Sequence, residues 1–250
     1  MHLYLVNTLP LAYCFRPDFD LATHYMNAWL GQSINDARGE GYTVVDNSGP
    51  YATPYNFFDT LEKYNPDVII ADGHGDPNSL TGQSLQEVLR TCTNNQVLSG
   101  KTFCAVSCLT GQILGPDSRN KTARHYIGWV NEFTWVVSPP YDPLTDPVAF
   151  SFKEVIRSLV RNTCRLNLDK ISLRQLYDGV MTEFQKHEDY YSSPPGSDDP
   201  YATDILISLR HDKKGLITLG EGGVVYAAPA TPIIPIAQIA TGLLSLLIYL

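Results

Sequence analysis

Apolar residues follow two rhythms along this 250-residue chain. Short unbroken apolar runs bounded by Gly, Pro, Asn or Asp read as buried strands. Between them, apolar positions recur every three or four residues, the spacing of one helix face. His2 to Thr8 reads as a first strand, punctuated by Arg16-Pro17-Asp18. Leu21, Tyr25, Met26, Trp29 and Leu30 predict a helix capped by Asp18 or Asp20 and ended by Gly39 and Gly41. Tyr42 to Asp46 is a second strand. Thr53-Pro54 opens a helix through Phe57, Phe58, Leu61 and Tyr64, and Asn65-Pro66 closes it.

Val68 to Ala71 and Thr102 to Ser107 are the third and fourth strands. Between them Ser84 and Glu87 have capping-box spacing, and Leu85, Val88, Leu89 and Cys92 predict a helix. After Cys108 the pattern gives a short helical turn, then strands at Tyr126 to Val130 and Phe133 to Val137. Asp146-Pro147 starts a helix through Phe152, Ile156, Leu159 and Val160. Ser172 and Gln175 cap another through Leu176, Val180 and Phe184. Residues 190–203 read as an exposed loop, and 204–209 with 216–219 as a hairpin or two edge strands around Asp212 to Gly215. Alternating strand and helix predicts an α/β fold: a mostly parallel sheet covered by helices on both faces.

The last twenty residues break the pattern. Residues 231–250 carry no charge, and prolines leave a clean apolar run only from Ile236. Spanning a bilayer takes about 20 apolar residues. The tail, 229–250, is therefore either a membrane anchor or a segment packed on its own domain or a partner, and residues 1–228 form the domain. A net charge of −8 with no basic stripe excludes a general nucleic-acid binder. Five cysteines and no signal-peptide pattern point to reduced thiols and a cytoplasmic protein, membrane-associated through its C-terminus if the tail is an anchor.

The candidate chemistry sits at two strand ends. One apolar run stops at Asp72-Gly73-His74-Gly75-Asp76, the other at Ser107-Cys108-Leu109-Thr110-Gly111. Neighbouring parallel strands bring their C-terminal ends to one edge, where open α/β sheets bind ligands. An imidazole and a thiol there are the material of a nucleophilic dyad. Gly111 and the turn after Cys108 would set the thiol near a helix N-terminus, which lowers a thiol pKa. Cys14, Cys92, Cys104 and Cys164 read as buried small hydrophobes, and His125 as a strand-start residue. Asp72, His74 and Asp76 alternate like ligands on one strand face, but no second cluster completes a metal site, so neither metal nor cofactor is expected. A Cys-elbow amidotransferase fails because His74 precedes Cys108 and Val106 breaks G-x-C-x-G. No phosphate-loop motif is present.

These residues resemble the caspase–gingipain clan of cysteine peptidases, in particular its gingipain-like and CHAT-type branch. The resemblance rests on His74-Gly75, on Ser107-Cys108-Leu-Thr-Gly111, on Ala123-Arg-His-Tyr-Ile-Gly128-Trp and on Ile217-Thr-Leu-Gly-Glu221. It covers roughly residues 1–226, and the Cys108 neighbourhood departs from the Q-A-C-[RQG]-G form of true caspases. It implies a caspase-like three-layer αβα sandwich and a cysteine endopeptidase acting on a protein or peptide substrate. Cys108 would be the nucleophile, His74 the acid and base, and the Gly75 and Cys108 N–H groups the oxyanion hole. Asp76 or Asp72 would orient His74. Residues 190–203 or Lys213-Lys214 are candidate processing sites. A catalytically silent binding or scaffold module, held by its tail or by a regulatory protein partner, is the competing expectation.

Overall fold

The computed structural model describes residues 9–221, 225–227 and 246–249. The expected strand at His2 to Thr8 and most of the apolar tail lie outside the described residues. A seven-stranded sheet forms the centre, with five parallel strands in its body. These are β1 (Leu11–Arg16), β2 (Thr43–Ser48), β3 (Val68–Asp72), β6 (Thr102–Val106) and β7 (His125–Trp129). Two antiparallel strands, β9 (Leu216–Leu219) and β10 (Val225–Ala227), extend it beyond β7. The order is β10-β9-β7-β6-β3-β1-β2. The fold is thus α/β with a mostly parallel, mixed sheet flanked by helices.

Strands β3 and β6 are buried at every position, which accounts for the apolar runs Val68 to Ala71 and Phe103 to Val106. Their side chains alternate between two cores. Val68, Ile70, Cys104 and Val106 face one layer, made of α1 (Leu21–Gly39), α4 (Phe150–Asn167), α5 (Leu173–Tyr191) and α6 (Ala202–Gly215). Ile69, Ala71, Phe103 and Ala105 face the other, which holds α2 (Pro54–Tyr64), α3 (Leu114–Asn120) and a small hairpin of β4 (Ser79–Thr81) with β5 (Glu87–Arg90). Asp20, Thr53 and Ser172 cap α1, α2 and α5 as the sequence predicts. Strand β8 (Thr134–Val137) stands apart from the main sheet and pairs with β11 (Leu246–Tyr249), the described end of the apolar tail. Among the described residues, no helix is long and apolar enough to cross a membrane.

Several segments differ from the sequence reading. Leu11–Arg16, to which the sequence reading assigned no element beyond the punctuation at Arg16, is a strand between β2 and β3. The predicted helix around Leu85 to Cys92 is the β4–β5 hairpin. Ser84 makes no cap there, because it and Leu85 take left-handed backbone angles (φ 55° and 61°) in the connecting turn. Gln83 is drawn to Asp18 instead, bonding its N–H and its carbonyl. Residues 204–209 belong to α6, whose buried positions Ile205, Ser208, Leu209 and Asp212 recur at helical spacing. The apolar run Ile205 to Ile207 concealed that period, since short apolar runs fit either element. The expected exposed loop at 190–203 is shorter than read: α5 continues to Tyr191 and α6 begins at Ala202. Asp146 does not open α4, which begins at Phe150. Its carboxylate instead collects Tyr25 OH, Ser138 N and Oγ, and Val148 N.

Candidate active site

The β3–β6 register pairs Asp72 with Val106. Two residues further on, His74 and Cys108 leave the same sheet edge. Ser107 Oγ donates to Gly73 O at 2.7 Å and ties the two strand exits together. Gly75 lies directly on the second exit: a Cβ there would collide with Ser107 Oγ, the Cys108 carbonyl and Thr110. A short bridge holds Gly75 against Leu80 through Thr81 N–H to His74 O (2.9 Å) and Asp76 N–H to Ser79 O (3.1 Å). In such a pair the central N–H turns away from the partner strand. Gly75 N–H therefore points away from β4. Gly75→Ala is expected to break this contact, cost about 1–3 kcal/mol as an overpacked substitution and shift the thermal midpoint downward in a melting experiment.

Strand alternation puts both reactive side chains on the α1 side. Cys108 packs in the core that contains Cys104, Val106 and Phe133. His74 reaches the N-terminus of α1, where its Nε2 meets Asp20 Oδ2 at 2.6 Å. Asp20 serves two partners at once. Its Oδ1 accepts the Thr23 N–H at 2.8 Å as the helix cap, and its Oδ2 holds the imidazole. Partial burial opposes its charge, but the bonds from His74 and Thr23 outweigh that and hold the carboxyl at about 2. Phe19 packs its ring against the imidazole, with centroids 5.8 Å apart. With Nε2 engaged, Nδ1 is the imidazole nitrogen left for proton transfer.

The carboxylate on His74 is thus Asp20, not Asp76 or Asp72. Asp76 closes its own turn: it accepts from Asn78 N, Ser79 N and Ser79 Oγ. Asp72 is fully buried, and neither of its oxygens has a hydrogen-bond partner among the described residues. Burial pushes its carboxyl well above the usual range, with Asp18 and Asp20 adding to the shift and Arg16 opposing it. The sequence offered Asp20 only as a helix cap. Nothing local distinguishes a cap that also holds a histidine 54 positions away.

The surroundings of Cys108 also differ from expectation. It does not sit at a helix N-terminus, because the next helix, α3, begins only at Leu114. Residues 107–113 form a turn fixed by the β7–β8 connection. Leu109 N–H reaches Asn131 O at 3.0 Å, and Gly111 N–H reaches Trp129 O at 2.7 Å. Phe133 lies against the sulfur: its N–H donates to Sγ at 3.2 Å, and Sγ lies 3.9 Å from its carbonyl oxygen. The same connection covers the thiol, which is only 3% exposed. α6 holds that connection in place: His211 Nε2 lies 2.9 Å from Glu132 O, Asn131 Nδ2 donates to His211 O, and Thr134 N–H donates to Asp212.

The other thiols and imidazoles are elsewhere. None of the five cysteines forms a disulfide among the described residues. Cys14, Cys104 and Cys164 are buried, and burial pushes the last two up to about 12. Cys92 is exposed, contrary to its reading as a core residue, because the hairpin replaced the helix that would have buried it. His125 starts β7 beside Thr102, at the opposite end of the sheet, and burial lowers it to about 4. The chain matches no protein-family model and no curated protein.

Proposed function

We propose that the chain is a cysteine endopeptidase built on a caspase-like αβα sandwich, with Asp20, His74 and Cys108 as its catalytic side chains. One observation carries this reading. His-Gly and Ser-Cys end adjacent parallel strands on one face, and a carboxylate holds Nε2 of the imidazole. The Cys108 thiolate attacks the scissile carbonyl carbon, and a C–S bond forms. The N–H groups of Gly75 and Cys108 hold the resulting oxyanion. The C–N bond then breaks as protonated His74 gives its proton to the leaving amine. His74 next takes a proton from water, whose oxygen attacks the thioester carbonyl, and the restored thiolate leaves. Asp20 keeps the imidazole in the tautomer this cycle requires and stabilises its charged form.

The partners on this reading are protein or peptide substrates, and no step calls for a metal or cofactor. A peptide carrying an electrophile at its C-terminus should label the wild-type protein at Cys108, as read by mass spectrometry, and a positional-scanning peptide library should yield defined cleavage products. Labelling elsewhere together with no cleavage rejects the peptidase. One observation favours a second reading. The covered thiol, with Phe133 N–H on its sulfur, also suits a silent binding module whose partner is a peptide or regulatory protein. That module would bind library peptides without cutting them.

A further inference from the structure

Strand β8 lies outside the main sheet, and among the described residues its only strand partner is β11. A strand turns the N–H and C=O groups of successive residues to opposite edges, so residues two apart share an edge. One edge of β8 belongs to α6, because Thr134 N–H donates to Asp212 Oδ1 at 2.9 Å. Phe133, Trp135 and Val137 therefore face the other edge. Phe133 shows what lies there: its N–H donates to Cys108 Sγ at 3.2 Å, and its carbonyl oxygen lies 3.9 Å from the sulfur. β11 takes the rest of that edge. It runs antiparallel, with Leu246 opposite Val137, Ile248 opposite Trp135 and Tyr249 opposite Thr134, the neighbour of Phe133. The tail strand and the thiol thus follow one another along a single row of backbone groups.

This pairing is of a kind that can be exchanged. A two-stranded ribbon is marginally stable by itself, so β11 depends on what its side chains bury. Ile248 supplies an anchor, buried in the α1-side core that also holds Tyr25, Trp29 and Trp135. An extended peptide adds to an open strand edge through the same main-chain bonds. Any peptide stretched along β8 toward Cys108 therefore competes with β11 for that edge. Because β11 belongs to the same chain, it competes at an effective concentration on the order of mM.

We propose that β11 is a built-in competitor: the chain's own tail strand fills the peptide-accepting edge of β8 and keeps Phe133 closed over Cys108. Its control of access to the thiol stands on the strand pairing alone. Its effect on catalysis rests on the peptidase reading. In the closed arrangement α6 holds one edge of β8 and β11 the other, so the segment over the sulfur is clamped from both sides. Displacing β11 frees one of those edges, and Phe133 can then move off the sulfur.

The test uses two full-chain variants. Ile248→Lys unseats the anchor, and Leu246→Pro removes a donor from the ladder. Alkylation by iodoacetamide, read by mass spectrometry at each cysteine, reports access to Cys108. Exposed Cys92 is the internal reference, and buried Cys14, Cys104 and Cys164 report any general loosening of the fold. Both variants should alkylate Cys108 about 10-fold faster than wild type as the closed fraction falls, with the other buried thiols still protected. On the best library peptide, KM should fall by about 10- to 100-fold, the weight of one buried isoleucine, with kcat unchanged. A synthetic peptide of residues 243–250, carrying two added lysines at its N-terminus for solubility, should restore a high KM in both variants. The same peptide with Ile248→Lys should not. Cys108 alkylation unchanged in both variants, a rise at all the buried cysteines together, or cleavage with an unchanged KM overturns the proposal. Faster alkylation confined to Cys108, slowed again by the added peptide but with no substrate cleaved, retains the tail strand as the cover of the thiol and rejects the peptidase.

Discussion

Cys108→Ala should abolish peptide cleavage, and His74→Ala should cost nearly as much. The two side chains act as one unit, so the double substitution should be no worse than either alone. In a nucleophile–base pair of this kind, single losses reach about 10⁶ in kcat and are strongly non-additive. Neither change should unfold the protein. Cys108 loses one N–H contact from Phe133, worth about 1 kcal/mol. His74 is partly exposed and loses its bond to Asp20 and its packing on Phe19. Steady-state hydrolysis of the best library peptide, beside a thermal melt of each variant, checks this. Cleavage surviving in Cys108→Ala would mean that the sulfur is not the nucleophile.

Asp20→Asn is the second large effect, and it separates two roles held by one side chain. Asparagine caps helices about as well as aspartate, so α1 should keep its start. What disappears is the negative charge 2.6 Å from His74 Nε2. Replacing the orienting carboxylate of a catalytic triad by its amide lowers kcat by about 10⁴ in the best-studied case. Asp20 is partly exposed, so a loss on the order of 10²–10³ is expected, with solvent supplying some of the missing stabilisation. A second readout follows from pH. The folded carboxyl lies at about 2, below its ordinary value of 3.8. Its contribution to stability is therefore complete above 3.8 and lost as the pH falls toward 2. Asp20→Asn should flatten the fall in stability across that window, as read by urea denaturation at stepped pH. An unchanged kcat together with a flattened acid limb would leave Asp20 as a helix cap with no part in catalysis.

The Asp20 case also shows where sequence reasoning stops. Its cap role was legible because capping is local: a carboxylate, then an N–H three residues later. Its bond to His74 joins a helix start to a strand end and depends on how α1 lies across the sheet. The covering of Cys108 by the β7–β8 connection is of the same kind, since Phe133 is 25 positions away from the sulfur it touches. The hairpin at Ser79 to Arg90 was misread for a related reason. Ser84 and Glu87 satisfy a helical spacing, but Gln83 is claimed by Asp18, and Ser84 and Leu85 turn left-handed.

The sequence by itself determined what short-range chemistry controls. It determined the caps of α1, α2 and α5, the fully apolar cores of β3 and β6, and the placing of an imidazole and a thiol at two strand ends. Burial on both sheet faces forces that apolar composition, so it can be read back from the residues. Only the tertiary structure decided which carboxylate meets His74, which backbone N–H meets Cys108 and which carboxyl is buried without a hydrogen-bond partner among the described residues. Those outcomes are contacts between segments distant in the chain. They are fixed by strand order and by how the helices lie on the sheet, and no local pattern of residues carries that information.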